Sequence, residues 1–323
     1  DEWNVTPKLT VVPGIRVDSH SSGEEYATSV KVSDSAFPTT KFSKTTVNPR
    51  IAIKYEVTPS LVLRANVGTG FRAPYGFSED LHLCSGSPRV WKSSNLKGER
   101  AISYNLSADY YAKKYQFSIN IFRTNLKDKI QFSPADDEVK KFGYSYQWEN
   151  VDDAYVQGVE LGAKANLFRN FNAGINWTFN QGKFKHERAD WSDPNDETVK
   201  EFPQRLQYAK DSRNISRFPA MTGDIDLDYT PGTWTFSLTS SLQGKMYIDY
   251  NSEDDGATSK IKKTNTFMIF NCRAAKRFGT CTVYAGAKNI FSYIQDEKHT
   301  DDAAFMYAPV YGATWYVGLS VKL

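Results

Sequence analysis

The residues best suited to chemistry in this 323-residue chain are four histidines, which all fall in polar stretches between segments of alternating hydrophobicity. They are His20, His82, His186 and His299. An imidazole that faces the medium can coordinate the metal of a chelate or the iron of haem. Histidine is also rare in apolar strands, so loops that bind nothing show the same distribution. Both interpretations stay open from these residues alone.

The sharpest local candidate is the segment Asp80-Leu81-His82-Leu83-Cys84. If residues 77–83 form a helical turn, Glu79 and His82 share one face, and Cys84 supplies a soft donor beside them. The simpler alternative is an ordered loop that its two leucines anchor. We take His82 and Cys84 as candidate ligand-binding residues and leave the metal, if any, unknown.

Cations and aromatic rings occur together at two further places. Arg89 and Trp91 lie two residues apart in the long connection that follows Arg72, and Tyr307 belongs to an aromatic run near the end of the chain. Guanidinium groups bind carboxylates in a fixed geometry, so these residues suit an anionic ligand that carries carboxylate groups. Aromatic residues also form the belt at a membrane border. We predict that Arg72, Arg89, Trp91 and Tyr307 contact the ligand.

No catalytic site is expected. A hydrolase needs a histidine base beside a serine or a carboxylate, and none of the segments with strand-like alternation contains a histidine. Three cysteines and four histidines also leave little material for a structural metal cage. The sequence therefore predicts a protein that is not an enzyme and that needs no cofactor.

The composition narrows the class of protein. Lys and Arg number 40 against 37 Asp and Glu, and a net charge of +3 does not indicate a nucleic-acid surface. The mean hydropathy is −0.54. No apolar run reaches the roughly 18 to 20 residues of a membrane helix. Strands can still cross a membrane, because only every second residue of a strand faces lipid.

Twelve segments alternate apolar and polar residues, which predicts β-strands with one dry face and one wet face. The predicted strands are 9–17, 51–57, 61–67, 102–110, 115–123, 144–167, 171–184, 221–229, 234–246, 267–275, 281–291 and 311–323. The long segment contains Asp152-Asp153, which predicts a bulge or a break, so the count is accurate to about two strands.

Short and long connections alternate along the chain. The short ones include Thr58-Pro59-Ser60, Phe168-Arg169-Asn170 and Thr230-Pro231-Gly232. The long ones are 20–46, 74–99, 186–217, 251–265 and 292–308, with a shorter one at 133–142. Short turns at one edge and long loops at the other are typical of bacterial outer-membrane barrels, in which the short turns face the periplasm.

The two faces distinguish a membrane barrel from a soluble sandwich, in which the dry faces point at each other. One wet face carries Asp224, Asp226 and Asp228, which suit a polar lumen. A dry face carries Trp234 near a strand end, as an aromatic girdle requires. These features predict an all-β, antiparallel transmembrane β-barrel. A β-sandwich binding module at the cell surface is the soluble alternative.

Cys272 and Cys281 lie on the same dry face of neighbouring predicted strands. A disulfide can form there, because a protein of the outer membrane passes through an oxidising periplasm. The turn at residues 277–279 is not centred between the two cysteines, which favours two free thiols that face lipid.

Four motifs in order resemble those of TonB-dependent outer-membrane receptors. Gly68-Thr69-Gly70-Phe71-Arg72-Ala73-Pro74 is similar to the family's FRAP box, and Ser94-Asn95-Leu96-Lys97-Gly98-Glu99 resembles the box that follows it, without the two prolines. Residues 146–151 leading to 157–161 look like a descending strand of the family. Ala287-Lys288-Asn289-Ile290-Phe291 resembles the motif before the last loop. Residues 77–83 look most like receptors from Bacteroides-type bacteria.

The resemblance implies a receptor in the bacterial outer membrane that takes up a scarce nutrient with energy from TonB. The nutrient would be an iron complex, such as haem or a ferric siderophore, or cobalamin. Haem receptors of the family tend to place a histidine in the region of His82. The implied partners are TonB, a metal-chelate or haem ligand at the extracellular loops, and outer-membrane lipid, but no nucleic acid.

The resemblance also implies an incomplete barrel. Family members hold a plug domain inside a barrel of about 22 strands. Residues 1–323 are then expected to be the C-terminal portion of such a barrel, with 12 strands present and the N-terminal plug, through which TonB acts, absent. A self-contained passive channel of 12 strands is the alternative.

Overall fold

The structure, a computed structural model, describes residues 2–25, 39–75, 90–134, 136–144, 146–186, 213–215, 217–248, 262–295 and 307–322. Its strands are β1 (Trp3–Thr6), β2 (Leu9–Glu24), β3 (Thr40–Thr58), β4 (Leu61–Arg72), β5 (Val90–Lys92), β6 (Glu99–Tyr111), β7 (Tyr115–Pro134), β8 (Tyr146–Phe168), β9 (Phe171–Phe184), β10 (Met221–Tyr229), β11 (Trp234–Gln243), β12 (Tyr247–Ile248), β13 (Lys262–Lys263), β14 (Phe267–Phe278), β15 (Cys281–Lys288) and β16 (Thr314–Val321), with one short helix, α1 (Asp137–Lys140).

Thirteen strands follow one another as neighbours in a single antiparallel sheet, in the order β1-β2-β3-β4-β6-β7-β8-β9-β10-β11-β14-β15-β16. β5 joins this sheet by pairing in parallel with β8, and β12 and β13 form a separate two-stranded sheet. Consecutive antiparallel pairing is the up-and-down arrangement of a membrane barrel. The all-β prediction is confirmed, and all twelve predicted strands are present.

Two strands of the sheet have no counterpart in the sequence pattern. β1 and β5 contain four and three residues, which are too few to show alternation. The prediction of a bulge in the long strand is confirmed, because the pairing of β7 with β8 shifts register between Leu126 and Ile130, opposite Asp152.

The hairpin of β2 and β3 extends farther than its apolar pattern. The two strands pair as far as Glu24 and Thr40, so their connection covers residues 25–39 only. The prediction that His20 lies in a loop, and that no strand contains a histidine, is therefore wrong. Backbone pairing needs no apolar side chains, so the strands continue into a polar region that alternation cannot mark.

All short connections lie at one edge of the sheet and the long ones at the other, as predicted. Asn170 has a φ of 65° and Gly279 a φ of 57°, the left-handed conformation that closes tight turns. No atom lies within 4 Å of the place where a Cβ of Gly279 would stand. The backbone conformation, and not crowding, therefore favours glycine there.

The two faces of the sheet differ in residue type. One outward row across β7 to β10 is apolar and consists of Phe117, Ala163, Ile175 and Ile225. The next inward row is polar or small and consists of Ser118, Gly162, Asn176 and Asp224. Outward Ile15, Trp315 and Val317 are 72%, 75% and 79% exposed. Because each such side chain loses about 1.5–3 kcal/mol when it stays in water, this face needs an apolar surrounding.

Within the described residues the only other sheet is β12 with β13, two residues a strand, which cannot cover the outward face. The described residues thus form one large sheet, whereas a soluble sandwich needs two sheets that cover each other. The same part of the chain contains no helix with the length and apolar character needed to cross a membrane.

The two cysteines lie at opposite ends of the ladder between β14 and β15. Cys272 pairs with Ala287, whereas Cys281 pairs with Phe278 beside the turn. Both thiols are free. The prediction of two free thiols, made from the off-centre turn, is thus confirmed. A disulfide between these two residues is excluded.

Candidate functional site

Arg72 and Glu99 face each other across the outer ends of β4 and β6. Arg72 Nη1 lies 3.6 Å from Glu99 Oε2, and Glu99 Oε1 accepts a hydrogen bond of 2.6 Å from the amide of Ile130. Glu99 is buried, whereas the Arg72 side chain is 45% exposed. A buried carboxylate needs such partners because an unpaired charge is costly away from water. The predicted ligand residue Arg72 is thus positioned at the rim with part of its side chain open to the medium.

The side chain of Asn150 binds the backbone of the second box. Its Oδ1 accepts a hydrogen bond from the amide of Lys97 at 2.8 Å. Its Nδ2 donates to the carbonyl oxygens of Lys97 at 2.9 Å and of Asp128 at 2.8 Å. One amide group therefore satisfies three backbone groups, and it joins two motifs that lie 53 residues apart in sequence.

Gly98 lets the first box pack on the second. A Cβ at this position would stand 2.3 Å from the ring of Phe71 and 3.0 Å from the carbonyl oxygen of Arg72, so no larger residue fits without movement. The Phe71 ring stacks on Phe42 at 5.9 Å, and the Phe42 ring lies 6.3 Å from His20. We call the group formed at this contact the rim lock; its members are Phe71, Arg72, Gly98, Glu99 and Asn150.

Both flanks of residues 76–89 are fixed beside the rim lock. On one flank the Tyr75 hydroxyl donates to the Ser93 carbonyl at 2.7 Å and accepts from the Leu96 amide at 3.3 Å. On the other flank the predicted ligand residue Trp91 lies in β5, half-buried and paired with β8. Three further predicted ligand residues lie outside the described residues: His82, Cys84 and Arg89.

Tyr307 belongs to a second cluster of the outer rim, beyond β9, β10 and β11. Its ring lies 6.2 Å from that of Phe267, which stacks on Tyr293 at 4.7 Å. Asn289 Nδ2 donates to the carbonyl oxygens of Tyr293 at 2.7 Å and Tyr311 at 3.1 Å, and its Oδ1 accepts from the Tyr293 amide at 2.9 Å. We call this cluster the aromatic corner; its members are Phe267, Asn289, Tyr293 and Tyr307. The structure therefore separates Tyr307 from the other described ligand candidates.

His186 lies just beyond β9 and binds Asp152, which lies on β8 well above the apolar outward rows. Asp152 Oδ2 accepts a hydrogen bond of 2.6 Å from the His186 amide, and Oδ1 lies 3.1 Å from the ring Nδ1. Burial pushes the pKa of Asp152 up, but the hydrogen bonds and the charge of His186, together with a hydrogen bond from the backbone of Asp153, hold that pKa below its ordinary value. The pair anchors the start of the connection that follows β9.

Sequence reasoning did not select Glu99, Asn150 or Asn289, although each lies in a recognised motif. A polar side chain at the end of a strand is the one signal that could have identified them. Within the described ranges, no three histidine, cysteine, aspartate or glutamate side chains come together to hold a metal ion.

A family comparison decides which kind of barrel this is. The family model "TonB dependent receptor-like, beta-barrel" matches residues 1–290. The chain belongs to this family. It is therefore an outer-membrane barrel protein, as the motifs predict.

Relatives of this TonB-dependent receptor barrel are transporters and receptors. The chain is 26% identical to the vitamin B12 transporter BtuB of Photobacterium profundum over 266 residues, 80% of this chain and 36% of that protein. It is 25% identical to the ferric enterobactin receptor of Pseudomonas aeruginosa over 199 residues, 56% of this chain and 23% of the receptor. These names agree with the prediction of a protein that is not an enzyme.

Solved structures share the fold. The copper transporter OprC superposes with a TM-score of 0.68 at 18% identity, over 98% of this chain and 46% of OprC. The ferric citrate transporter FecA gives a TM-score of 0.66 at 18% identity, over 97% of this chain and 42% of FecA. The chain spans less than half the length of each of these relatives.

Polar pairs line the inward face of the TonB-dependent receptor barrel. Asn120 donates to Glu160 at 2.9 Å and Asn176 donates to Asp224 at 2.8 Å. Arg64 pairs with Asp109 on the same face. Such pairs make the inward face compatible with water, as the predicted polar lumen requires.

Proposed function

We propose that the protein serves in a receptor that imports a scarce nutrient across the outer membrane with energy from TonB. Residues 1–323 form the C-terminal portion of its barrel. TonB acts through an N-terminal plug domain inside that barrel. The ligand is an iron complex, either a ferric siderophore or haem, or it is cobalamin.

The rim lock carries this proposal. It joins three motifs at the mouth of a polar inward face. Beside it, the Tyr75 hydroxyl and the pairing of β5 with β8 fix both flanks of residues 76–89, where three of the six candidate ligand residues lie. A loop that captures a ligand needs such a base, because its ends must stay in place when it closes over the ligand. In this proposal His82, Cys84 and Arg89 contact the ligand, with Arg72 and Trp91 at the flanks and Tyr307 across the rim.

The ligand class follows from the side chains and from the names of the relatives. Those names mention vitamin B12, ferric enterobactin, ferric citrate and copper. All of these are metals or metal chelates. Arginine and aromatic residues suit a large anionic chelate, and the case for haem rests on His82 alone.

A binding titration tests the proposal. The protein isolated from outer membranes in mild detergent is titrated with cyanocobalamin, ferric enterobactin and haemin, and tryptophan fluorescence reports binding. We expect one of the three to bind, and we expect His82→Ala to weaken that binding at least about tenfold, the loss of one good ligand contact. His186→Gln is the matched control, since His186 lies at the same rim but binds Asp152.

Two results would contradict the proposal. One is no binding of any of the three ligands, and the other is steady permeation of small solutes in cells without TonB. The second result would favour a passive channel.

A further inference from the structure

The outward face of β6 to β9 carries a polar row directly above its apolar rows. The members of this row lie opposite one another on the four strands and are Tyr104, Arg123, Gln157 and Gln181. The outward row below it is entirely apolar and consists of Leu106, Ile121, Val159 and Phe179. The change from one row to the next marks the upper border of the lipid-facing surface.

The height of this row above the short-turn edge agrees with the expected height of that border. Arg123 lies eight residues from the start of β7, and Gln181 lies ten residues from the start of β9. At about 3.3 Å per residue and a strand tilt of about 40°, these distances place the row about 20–25 Å above the short-turn edge, which is close to the height of the apolar band of an outer-membrane barrel. The row therefore lies where lipid headgroups begin.

Arg123 is held firmly in this row. Its Nε donates to Asn125 Oδ1 at 2.9 Å and its Nη1 donates to Gln157 Oε1 at 2.6 Å. Gln157 Nε2 donates in turn to Gln181 Oε1 at 3.0 Å. The guanidinium lies 4.3 Å from the ring centre of Tyr155. All these partners are neutral, and among the described residues Arg123 forms no ion pair.

More cations lie on the same face just above Arg123. Lys183 pairs with Tyr155 in the next row, and Arg100 pairs with Lys127 in the row after that. Like charges directly opposite each other destabilise a sheet. An anion between Arg100 and Lys127 would remove this repulsion.

The carboxylates near these strands already have other partners. Asp128 lies 4.0 Å from the ammonium group of Lys97. Asp153 Oδ1 accepts a hydrogen bond of 3.1 Å from the amide of Asp128. Within the described residues, the four cations Arg100, Arg123, Lys127 and Lys183 outnumber these two carboxylates.

The other side of the described sheet lacks this feature. At six to eight residues from the short-turn ends of β11, β14 and β16, the outward residues include Ser240, Leu242, Phe270 and Trp315. None of these is charged. The cations are thus specific to β6 to β9 and are not a general property of the border.

We propose that this surface binds the phosphate groups of an anionic glycolipid in the outer leaflet. We call it the cationic border; its members are Arg100, Arg123, Lys127, Gln157, Gln181 and Lys183. The arginine and lysine side chains contact phosphate, Gln157 and Gln181 bind hydroxyl groups of the headgroup, and the acyl chains lie along the apolar rows below. A guanidinium that is fixed before binding loses little conformational freedom when the phosphate arrives.

Native mass spectrometry tests this proposal on the protein isolated from outer membranes and placed in phosphatidylcholine nanodiscs. The probes are lipid A with both phosphates, dephosphorylated lipid A, and inorganic phosphate. We expect only the phosphorylated lipid A to bind. Each cation removed should weaken binding about fivefold, so Arg123→Gln with Lys183→Gln should weaken it about 25-fold. Arg123→Lys should retain most of the affinity.

Lys276→Gln is the matched control. Lys276 also faces outward, but it lies near the short-turn edge, 4.8 Å from the ring centre of Trp234. This variant should bind as the wild type does. If the double variant does not insert, Lys183→Gln alone leaves the hydrogen bonds of Arg123 in place and should still show the fivefold loss.

Three outcomes would overturn the proposal. They are unchanged binding in the double or the Lys183→Gln variant, equal binding of dephosphorylated lipid A, and binding of inorganic phosphate with the affinity of the lipid. The last result would identify a simple anion site.

Discussion

The rim lock and the aromatic corner both use an asparagine side chain to hold the end of a connection. The asparagine lies beside an ion pair in the rim lock and beside stacked aromatic rings in the aromatic corner. In each, one asparagine makes three hydrogen bonds to backbone groups at the outer edge of the sheet: Asn150 in the rim lock and Asn289 in the aromatic corner. The rim lock adds a buried carboxylate that pairs with Arg72. The aromatic corner adds the stacked rings of Phe267 and Tyr293. The asparagine thus fixes the backbone in both clusters. The ion pair adds stability to the rim lock, and the packed rings add stability to the aromatic corner.

This difference matters for the ligand. The rim lock flanks three candidate ligand residues and leaves part of Arg72 exposed, whereas the aromatic corner presents one candidate, Tyr307, among packed rings. We therefore expect charge recognition at the rim lock and shape recognition at the aromatic corner. Variants that affect only one of the two clusters test this division.

The largest effect is expected from Gly98→Ala. Its Cβ would stand 2.3 Å from the Phe71 ring, and such overpacking should destabilise the barrel by about 3 kcal/mol, the upper part of the usual range. Thermal unfolding in detergent measures the loss. Gly70→Ala is the control, since a Cβ there would meet only the Ala101 Cβ at 3.9 Å. Equal stability of the two variants would refute the close contact.

A somewhat smaller and more local effect is expected from removing either asparagine. Asn150→Ala and Asn289→Ala should each cost about 2 kcal/mol, because three backbone groups lose their partner. Hydrogen exchange should accelerate at the amide of Lys97 in the first variant and of Tyr293 in the second. Acceleration at both amides in both variants would mean that the two clusters are not independent.

The salt concentration should affect the stability of the rim lock but not that of the aromatic corner. Glu99→Gln should destabilise the rim lock by about 1 kcal/mol at low salt and by less at high salt, because it removes a partly screened ion pair. Phe267→Leu should destabilise the aromatic corner by a similar amount that does not depend on salt. Unfolding temperatures at 50 mM and about 500 mM NaCl measure both. A salt-dependent effect of Phe267→Leu would argue against the division.

The smallest effect concerns pH. Because the pKa of Asp152 lies below its ordinary value in the folded protein, its contact with His186 stabilises the fold above that ordinary value. The stabilisation should disappear as the pH falls through the lowered pKa. The difference in unfolding temperature between the wild type and Asp152→Asn should be small at pH 7 and should approach zero only when the pH lies below the ordinary pKa of an aspartate. A difference that grows toward acid pH would mean that folding raises, and does not lower, the pKa of Asp152.

Alternation predicts the twelve main strands because lipid and lumen impose opposite demands on successive residues. It does not predict β5, whose parallel pairing with β8 brings together distant parts of the chain. It also ends β2 near Val17, although pairing continues to Glu24. Above the membrane both faces meet water, so the pattern disappears while the hydrogen bonds continue.

The candidate site was predicted in part. The rim lock joins three of the recognised motifs, since Phe71, Gly98 and Asn150 belong to one each, but the roles of the predicted ligand residues stay predictions. Their contacts depend on register, which alternation does not determine. The cationic border is also invisible in the sequence, because Arg123, Gln157 and Gln181 lie on three separate strands.

The most direct test of the central claim is nutrient uptake by living cells that carry this protein. Uptake of labelled cobalamin, ferric enterobactin and haem is compared in cells with and without TonB. The account predicts rapid uptake of one of these ligands that disappears without TonB. Uptake that is unchanged without TonB, or no uptake of any of the three, would contradict it.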